Sequence, residues 1–339
     1  PPPLLLPPRG SRRHAARGCS PSSSRSEAPR LSHLAASMAA DGPAPLVLSD
    51  AVMKGMRTAK SFSPASAVTD SLDFHHTQDM LVTGSSAAST ISVFRVDSGE
   101  LAVSVPTKKY GVAHIRCTHH PNNVLYATSN PNEGHALRYL SLHNNSYIRY
   151  YKGHQERVTA LHLCPTSDLF LSASKDRTVR LWDLRCENSQ GVLQAPGPCL
   201  TAFDEQGLIF AAVMQMRPPG AKVGETFVNL YDLRTYQKAP FVTFTLSTNA
   251  IPAEISHVCF SPNGATIAIA LTDGRIVAID AFHGKQRFSV PNAVGRSAQP
   301  RVSFTPDSFY VLSGGLGGVK VLSARNGASV AQWRVAEDD

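Results

Sequence analysis

The stretch Gly153–Arg185, GHQERVTALHLCPTSDLFLSASKDRTVRLWDLR, indicates the fold more clearly than any other part of the sequence. It contains three short apolar runs, Val158–Leu163, Leu169–Ser172 and Val179–Trp182, which are separated by polar turns. Runs of this length that are rich in Val, Leu and aromatic residues and are bounded by Pro, Ser and Asp predict antiparallel strands. The stretch therefore predicts one small antiparallel sheet.

The Gly-His start and the Trp-Asp end of this stretch have the spacing of a WD repeat, which forms one propeller blade of about 40–45 residues. In such a blade the indole N–H of Trp182 can donate to Ser172, and the Ser172 hydroxyl can bond His154. Asp176, in the turn between the second and third strands, can accept from the other ring nitrogen. Each group would be unsatisfied alone in a protein interior, so we expect these four residues to form one structural tetrad.

Ser172, His154 and Asp176 also have the residue types of a hydrolase triad. No nucleophile elbow or oxyanion-hole motif accompanies them, which favours the structural role. The sequence also lacks a P-loop, an HExxH motif and a dinucleotide fingerprint. We therefore predict a non-enzymatic protein that needs no cofactor.

Six copies of the strand–turn–strand unit can be traced along the chain. Their first strands end at Phe74, Thr118, Cys164, Phe203, Phe260 and Phe304, at steps of 44, 46, 39, 57 and 44 residues. The sequence therefore predicts an all-β fold, a WD-repeat β-propeller over residues 46–339 with six clear blades and a rudimentary or missing seventh.

The complete tetrad occurs only in the unit that contains His154. At the position of Trp182 the other units have Phe94, Tyr139, Tyr231, Ile279 and Val321. Those blades must be held by apolar packing between neighbouring sheets, as in other repeat architectures.

Two segments depart from the regular repeat. The interval of 57 residues between Phe203 and Phe260 contains Met214–Thr226, a Pro- and Gly-rich insertion that we expect to be a loop. After the third strand of the sixth unit, Val319–Leu322, only Ser329–Val335 can supply another strand. A ring usually closes by pairing strands from both ends of the chain, and Arg57–Phe62 is the candidate for the N-terminal strand.

Residues 1–45 form a low-complexity leader of Pro, Ser, Ala and Arg, which predicts disorder. Its Arg- and Ser-rich composition fits an organelle transit peptide. The alternative is translated upstream sequence, with the natural start at Met38 or Met53. Of the net charge of +8, residues 1–60 carry a surplus of six and the remainder a surplus of two. This balance argues against a propeller that binds nucleic acid by neutralising phosphates.

The sequence gives little support for a membrane-spanning, a disulfide-bonded or a metal-binding protein. No apolar run approaches the roughly 18 residues of a membrane helix. The six cysteines include no CxxC pair, which is typical of reduced thiols. The pairs His75-His76 and His119-His120 fall in predicted turns without ligands at metal spacing, so we predict no metal site.

Loops that lead into first strands and loops that join second to third strands should share one face of the ring. Candidate residues there for binding a partner or a phosphopeptide are Lys108, Lys109, Tyr110, Gln155, Arg157 and Lys175. Arg157 and Lys175 flank the tetrad on the channel side and are the strongest candidates. Six of the nine tyrosines lie between residues 110 and 151, interleaved with basic residues, which suits peptide recognition. An ordinary solvent-facing outer strand explains them equally well.

Several segments resemble the WD-repeat-containing protein 82 family. They include VLSDAVMKGMRTAKSF, KKYGVAHIRCTHH, LRYLSLHNNSYIRYYKGH, TVRLWDLR, FDEQGLIFAA and NLYDLRTYQKAPFVTF, between about Leu46 and Gly327. The resemblance implies a nuclear, seven-bladed adaptor of COMPASS-type histone methyltransferase complexes. It also implies binding to a SET-domain methyltransferase, to the phosphorylated tail of RNA polymerase II and to a protein-phosphatase complex. The sequence departs from the family at the seventh blade and at the loop after Val213.

A ubiquitin-ligase substrate receptor is the competing interpretation. The runs WDLR and YDLR, ending at Arg185 and Arg234, match the WDxR-type pattern that adaptors of cullin ligases recognise. Both arginines could instead pair with a neighbouring acid at the end of a third strand.

Overall fold

The computed structural model describes residues 47–59, 68–107, 109–216, 225–247, 253–291, 300–315 and 318–334. These residues form six four-stranded antiparallel sheets, and in each sheet the strands follow chain order. The first strands of successive sheets lie side by side around a ring, so the architecture is a β-propeller. The predicted all-β fold with six clear blades is confirmed. The predicted leader, residues 1–45, lies outside the described residues.

The six sheets are numbered as blades in chain order. Blade 1 comprises β1 (Ser71–Phe74), β2 (Met80–Ser85), β3 (Thr90–Arg95) and β4 (Leu101–Pro106). Blade 2 comprises β5 (Ala113–Cys117), β6 (Asn123–Ala127), β7 (Leu137–Ser141) and β8 (Ser146–Tyr151). Blade 3 comprises β9 (Val158–Leu163), β10 (Leu169–Ser174), β11 (Thr178–Asp183) and β12 (Gly191–Gln194).

Blade 4 comprises β13 (Cys199–Phe203), β14 (Ile209–Met216), β15 (Glu225–Asp232) and β16 (Val242–Ser247). Blade 5 comprises β17 (Ile255–Phe260), β18 (Thr266–Leu271), β19 (Ile276–Asp280) and β20 (Gln286–Val290). Blade 6 comprises β21 (Arg301–Phe304), β22 (Tyr310–Gly315), β23 (Gly318–Ser323) and β24 (Ser329–Trp333). The three strands predicted within Gly153–Arg185 are β9, β10 and β11 of blade 3, within two residues at each end.

Strand register corrects two of the residues predicted at the Trp182 position. Trp182 pairs with Phe170, the second residue of β10, and it faces blade 2. The residues in the same register are Leu140 in blade 2 and Leu322 in blade 6, not Tyr139 and Val321. Because successive side chains of a strand face opposite sides of the sheet, a shift of one residue exchanges the two packing faces. The choices of Phe94, Tyr231 and Ile279 agree with the observed register.

The insertion in blade 4 is shorter than predicted. β14 continues to Met216 and β15 begins at Glu225, so both ends of the predicted loop Met214–Thr226 are strand. The pairing of β14 with β15 extends into the predicted loop, where Met214 pairs with Phe227. The Met214 side chain is buried, and this packing favours the strand. Residues 217–224 lie outside the described residues.

Apolar side chains fill the space between each pair of consecutive blades. Representative buried residues are Ile91 and Val124 between blades 1 and 2, Leu125 and Leu161 between blades 2 and 3, Leu171 and Phe210 between blades 3 and 4, Val228 and Ile267 between blades 4 and 5, and Ile276 and Val311 between blades 5 and 6. Burial of apolar surface stabilises such packing by roughly 25 cal/mol per Å². These contacts fix the ring and therefore the position of every loop.

A short helix covers the far face of blade 6. Helix α1 (Asp50–Gly55) begins at Ser49, whose hydroxyl accepts a hydrogen bond from the amide of Val52. Met53 of this helix is 1% exposed and packs in a cluster with Tyr310 and Val321 of blade 6. No helix among the described residues is both long and apolar enough to cross a membrane.

Polar contacts fix α1 to blade 6. The Tyr310 hydroxyl donates to an Asp50 carboxylate oxygen at 2.6 Å, and the Trp333 indole N–H donates to the Met53 carbonyl at 2.8 Å. This helix was not predicted from the sequence, although a capping Ser followed by Asp in the first turn is a start signal.

The predicted closing strand Arg57–Phe62 is not observed over its described residues, 57–59. Residues 57–59 form no strand, and residues 60–62 lie outside the described residues. The segment predicted as the last strand, Ser329–Val335, supplies β24, the fourth strand of blade 6. The described residues therefore contain no seventh sheet.

We predict that Met53→Ala lowers the free energy of unfolding by about 2–5 kcal/mol, because it leaves a cavity under α1. Denaturant unfolding measures the change, and Lys54→Ala, at an exposed position of the same helix, is the matched control. Equal stability of the two variants would show that α1 does not stabilise blade 6.

Candidate functional site

Hydrogen bonds between loops divide them into two faces of the ring. The Lys175 amide donates to the Arg157 carbonyl at 3.0 Å, and the Asn130 amide donates to the Tyr110 carbonyl at 3.1 Å. These bonds join loops before first strands to loops between second and third strands, and we call this side the upper face. On the opposite, lower face, the Leu184 amide donates to the Asp168 carbonyl at 2.9 Å.

The four tetrad residues are connected by hydrogen bonds across blade 3. The Trp182 indole N–H donates to the Ser172 hydroxyl oxygen at 2.8 Å. Ser172 Oγ lies 2.7 Å from His154 Nε2, and His154 Nδ1 lies 2.9 Å from Asp176 Oδ2. The network joins the loop before β9 to β10, β11 and the turn between them.

Electrostatics support an ionised Asp176 beside a neutral His154. Burial would raise the pKa of Asp176, but hydrogen bonds from Thr178, from the Gln155 amide and from His154 outweigh it and lower the pKa to about 2. Burial lowers the pKa of His154, and attraction to Asp176 opposes this shift only in part. A neutral imidazole can donate through Nδ1 to Asp176 and accept through Nε2 from the Ser172 hydroxyl.

Close packing makes this network inaccessible to a substrate. Ser172 is fully buried, and Trp182 stacks on Phe170 at a centroid distance of 6.1 Å. A Cβ atom at Gly153 would lie 3.2 Å from the Trp182 ring, so the start of the motif packs closely on the indole. A serine enclosed in this way cannot act as the nucleophile of a hydrolase, so the geometry fits a structural role.

We predict that Ser172→Ala lowers the free energy of unfolding by about 1–3 kcal/mol, because it leaves the Trp182 N–H and a His154 nitrogen without their partner. Thermal or denaturant unfolding checks this, with the exposed Ser104→Ala in β4 as control. If Ser172→Ala is as stable as the control, the network does not stabilise the blade.

A cavity of about 220 Å³ occupies the axis of the ring. Its lining comes mainly from the first strands of blades 2 to 6, with the upper-face loops at its mouth. The polar and charged lining residues are His114, Arg116, Arg157, Thr159, His162, Lys175, Thr201, Glu254, Ser256, His257, Thr272 and Arg301. We call this cavity the channel.

The channel histidines are held neutral by their surroundings. Burial and the nearby charges of Arg301 and Arg116 lower the pKa of His114 and that of His257 to about 3. Burial and Arg116 also lower the pKa of His162 well below its ordinary value. These histidines were not predicted as site residues, although polar residues alternate with apolar ones at His114 and Arg116 in the first strand of blade 2.

We predict that the protein loses stability as the pH falls below about 6.5. The unfolded chain then protonates its histidines, whereas the folded channel keeps His114 and His257 neutral down to about pH 3. The slope is at most about 1.4 kcal/mol per pH unit for each histidine. Unfolding free energies measured between pH 7 and 5 check it. His257→Phe should reduce the slope, and the exposed control His143→Gln should leave it unchanged.

The structure brings together three of the predicted upper-face cations. Arg157 and Lys175 are exposed and line the mouth of the channel. Arg157 also borders a second cleft, which Lys109 lines on blade 2. The exposed Gln155 donates its backbone amide to Asp176 at 2.9 Å. Lys108 lies outside the described residues.

Tyr110 belongs to a cluster of tyrosines around a buried arginine. The Arg138 guanidinium carbon lies 3.5 Å from the centroid of the Tyr110 ring, and Arg138 Nε donates to Thr128. Tyr147 and Tyr150 also surround Arg138, at 5.8 and 5.2 Å. Since Arg138 is only 5% exposed, this cluster anchors the upper-face loop of blade 2 and does not present a free guanidinium.

Arg185 and Arg234 lie on the lower face, away from the channel mouth. Each forms a two-pronged ion pair with the aspartate two residues before it, Arg185 with Asp183 and Arg234 with Asp232. The Arg185 side chain lowers the pKa of Asp183, and the Arg234 side chain lowers that of Asp232. Both arginine side chains are about three-quarters exposed.

The two histidine pairs meet on the lower face of blades 1 and 2. His75 and His76 stack at 4.7 Å, and His119 contacts His76 edge-on at 5.0 Å. His119 Nε2 donates a hydrogen bond to the Cys164 carbonyl. His75 Nδ1 accepts hydrogen bonds from the backbone amides of Thr77 and Gln78. In the part of the chain that the structure describes, no group of three or more His, Cys, Asp or Glu is placed to hold a metal.

Comparison with known proteins agrees with the blade architecture. The family described as WD domain, G-beta repeat matches residues 145–183, which contain most of blade 3. A Drosophila melanogaster protein, WD repeat-containing protein 82, is 36% identical over 288 residues, covering 84% of this chain and 86% of that protein. The chain belongs to the WD repeat-containing protein 82 family. The resemblance noted in the sequence is thereby confirmed.

Other relatives extend this family across plants and fungi. The Arabidopsis thaliana protein anthesis promoting factor 1 is 35% identical over 289 residues, covering 84% of each chain. The Saccharomyces cerevisiae COMPASS component SWD2 is 31% identical over 264 residues, covering 75% of this chain and 76% of that protein. These alignments span most of the propeller.

Proposed function

We propose that this chain is a non-enzymatic scaffold in the nucleus, a subunit of a COMPASS-type histone H3 lysine methyltransferase complex. The proposal rests on one observation above all, the similarity over three-quarters of the chain to a relative named as a COMPASS component. The structure is compatible with this role, because the blade 3 network that resembles a catalytic triad is enclosed. Its direct partner would be the SET-domain subunit.

We further propose that the upper face links the complex to transcription by binding the phosphorylated tail of RNA polymerase II. Arg157 and Lys175 support this proposal, because they are exposed cations at the channel mouth without a carboxylate partner among the described residues. Lys109 lies on the same face but pairs with Glu133 at 2.9 Å, so it is the weaker candidate. A protein-phosphatase complex that acts in transcription is a further candidate partner.

Affinity purification from nuclei followed by mass spectrometry tests the scaffold role. Recovery of a SET-domain methyltransferase with its associated subunits is the expected result. Recovery of a cullin-ligase adaptor without a SET-domain protein would favour the ubiquitin-ligase alternative, in which Arg185 and Arg234 contact the adaptor. In that case Arg185→Glu and Arg234→Glu should abolish the adaptor signal.

We predict that Arg157→Glu and Lys175→Glu each weaken binding of a phosphorylated polymerase-tail peptide about tenfold or more, because each replaces a favourable charge with a repulsive one. Fluorescence anisotropy with phosphorylated and unphosphorylated peptides measures the effect. Arg234→Glu makes the same charge change on the lower face and should leave affinity unchanged. Wild-type affinity in both upper-face variants would show that the peptide binds elsewhere.

A further inference from the structure

The channel collects positive charge that the rest of the propeller does not balance. Arg116, Arg157, Lys175 and Arg301 line it, and Glu254 is the one carboxylate residue among its lining residues. Outside residues 1–60 the chain as a whole is nearly neutral. The excess is therefore a local property of the axis.

Arg301 is less exposed than Arg157 and Lys175 and, like them, has no carboxylate partner among the described residues. It lies at the start of β21, and among the described residues its guanidinium has no hydrogen bond or ion pair. Burial and the charge of Arg116 lower the pKa of Arg301. Arg301 is half-buried, and a half-buried cation that faces a second arginine and has no carboxylate partner favours the binding of an anion.

Arg116 is only partly compensated. Its Nε donates to the Leu161 carbonyl at 2.9 Å, and its Nη1 lies 3.8 Å from an Asp73 carboxylate oxygen. The other oxygen of the same carboxylate accepts the Cys117 amide of blade 2, so Asp73 is shared between two donors. Arg116 therefore has one carboxylate within ion-pair distance, and Arg301 has none among the described residues.

Two polar atoms of residues that line the same channel also lack partners. Thr201 is 1% exposed, and its hydroxyl makes no hydrogen bond in the described structure. The Nδ1 atom of His257 is buried and equally unpartnered. Buried polar groups are rarely left unsatisfied, and a bound ligand is one explanation for such atoms.

The backbone is irregular where it presents channel residues. His114 has a φ of 51°, a left-handed conformation that is uncommon for residues other than glycine. The register of β5 shifts between Ala113 and Arg116, and that of β17 shifts between Ile255 and His257. Such bulges redirect side chains and often lie near functional sites.

We propose that the channel binds a small tetrahedral oxyanion of the phosphate type, held by Arg301 and Arg116 with Thr201 and His257 as neutral hydrogen-bonding groups. Guanidinium groups match the geometry of phosphate oxygens. The proposal concerns residues below Arg157 and Lys175 and does not depend on the methyltransferase or polymerase-tail role.

The size of the channel limits the ligand. A volume of about 220 Å³ equals roughly seven water molecules at about 30 Å³ each, which is enough for one phosphate group and some bound water. It is smaller than the roughly 300–1,000 Å³ typical of larger ligands. The phosphate can come from free inorganic phosphate or from a phosphorylated side chain that enters from the upper face.

Thermal unfolding of the full chain tests the proposal. Inorganic phosphate should raise the unfolding temperature in a saturable way when chloride keeps the ionic strength constant. Arg301→Gln should raise the unfolding temperature in phosphate-free buffer and abolish the phosphate-dependent shift. The control Arg95→Gln, at an exposed position on blade 1, should keep the shift. A purely structural Arg301 would instead lower the unfolding temperature when replaced.

Thr201→Val is a second variant, for use if Arg301→Gln fails to fold, and it keeps the shape of the side chain. It should weaken phosphate binding several-fold, as measured by isothermal titration calorimetry. Absence of a phosphate-dependent shift in the wild-type protein overturns the proposal. An unchanged shift in Arg301→Gln, or unchanged affinity in Thr201→Val, overturns it as well. Competition between inorganic phosphate and a phosphoserine peptide would identify a phosphorylated side chain as the source, whereas phosphate binding without competition would identify the free ion.

Discussion

Apolar packing between the faces of neighbouring sheets is the constraint on which the rest of this propeller depends. Each blade is a four-stranded sheet that must cover two faces, and the buried residues divide into clusters that join consecutive blades. Blade 3 adds the hydrogen-bonded network from Trp182 to Asp176, which fixes its loops relative to its strands. In blades 2 and 5 the apolar residues Leu140 and Ile279 occupy the Trp182 position and contribute packing alone.

The repeat pattern predicted most of this architecture because each blade carries its own local signals. Short apolar runs and polar turns located the strands, and the residues of the Gly-His and Trp-Asp motif located the network of blade 3. Register was harder to predict. Tyr139 and Leu140 are both hydrophobic enough to fill an interior, and only the hydrogen-bonding partners show which of them faces blade 1.

Features that depend on contacts between distant residues were not predictable from the sequence alone. Helix α1 is short, and it is stabilised by blade 6, which lies far away in the chain. The channel is another example, because His114, His162 and Arg301 belong to three different blades and meet only when the ring forms. The position of Arg157 and Lys175 at the channel mouth could be predicted from the sequence, since both lie next to the recognisable motif of blade 3.

The attachment of α1 to blade 6 sets an order of events on the ribosome. Its hydrogen bonds from Tyr310 to Asp50 and from Trp333 to Met53 connect residues 260 and 280 positions apart. At roughly 5–20 residues per second, translation needs about 14–56 s to cover the longer interval. Early blades of the nascent chain can pack in pairs as they emerge, whereas Met53 can be buried only after Tyr310 and Val321 of blade 6 have been synthesised. Docking of α1 therefore follows the synthesis of blade 6.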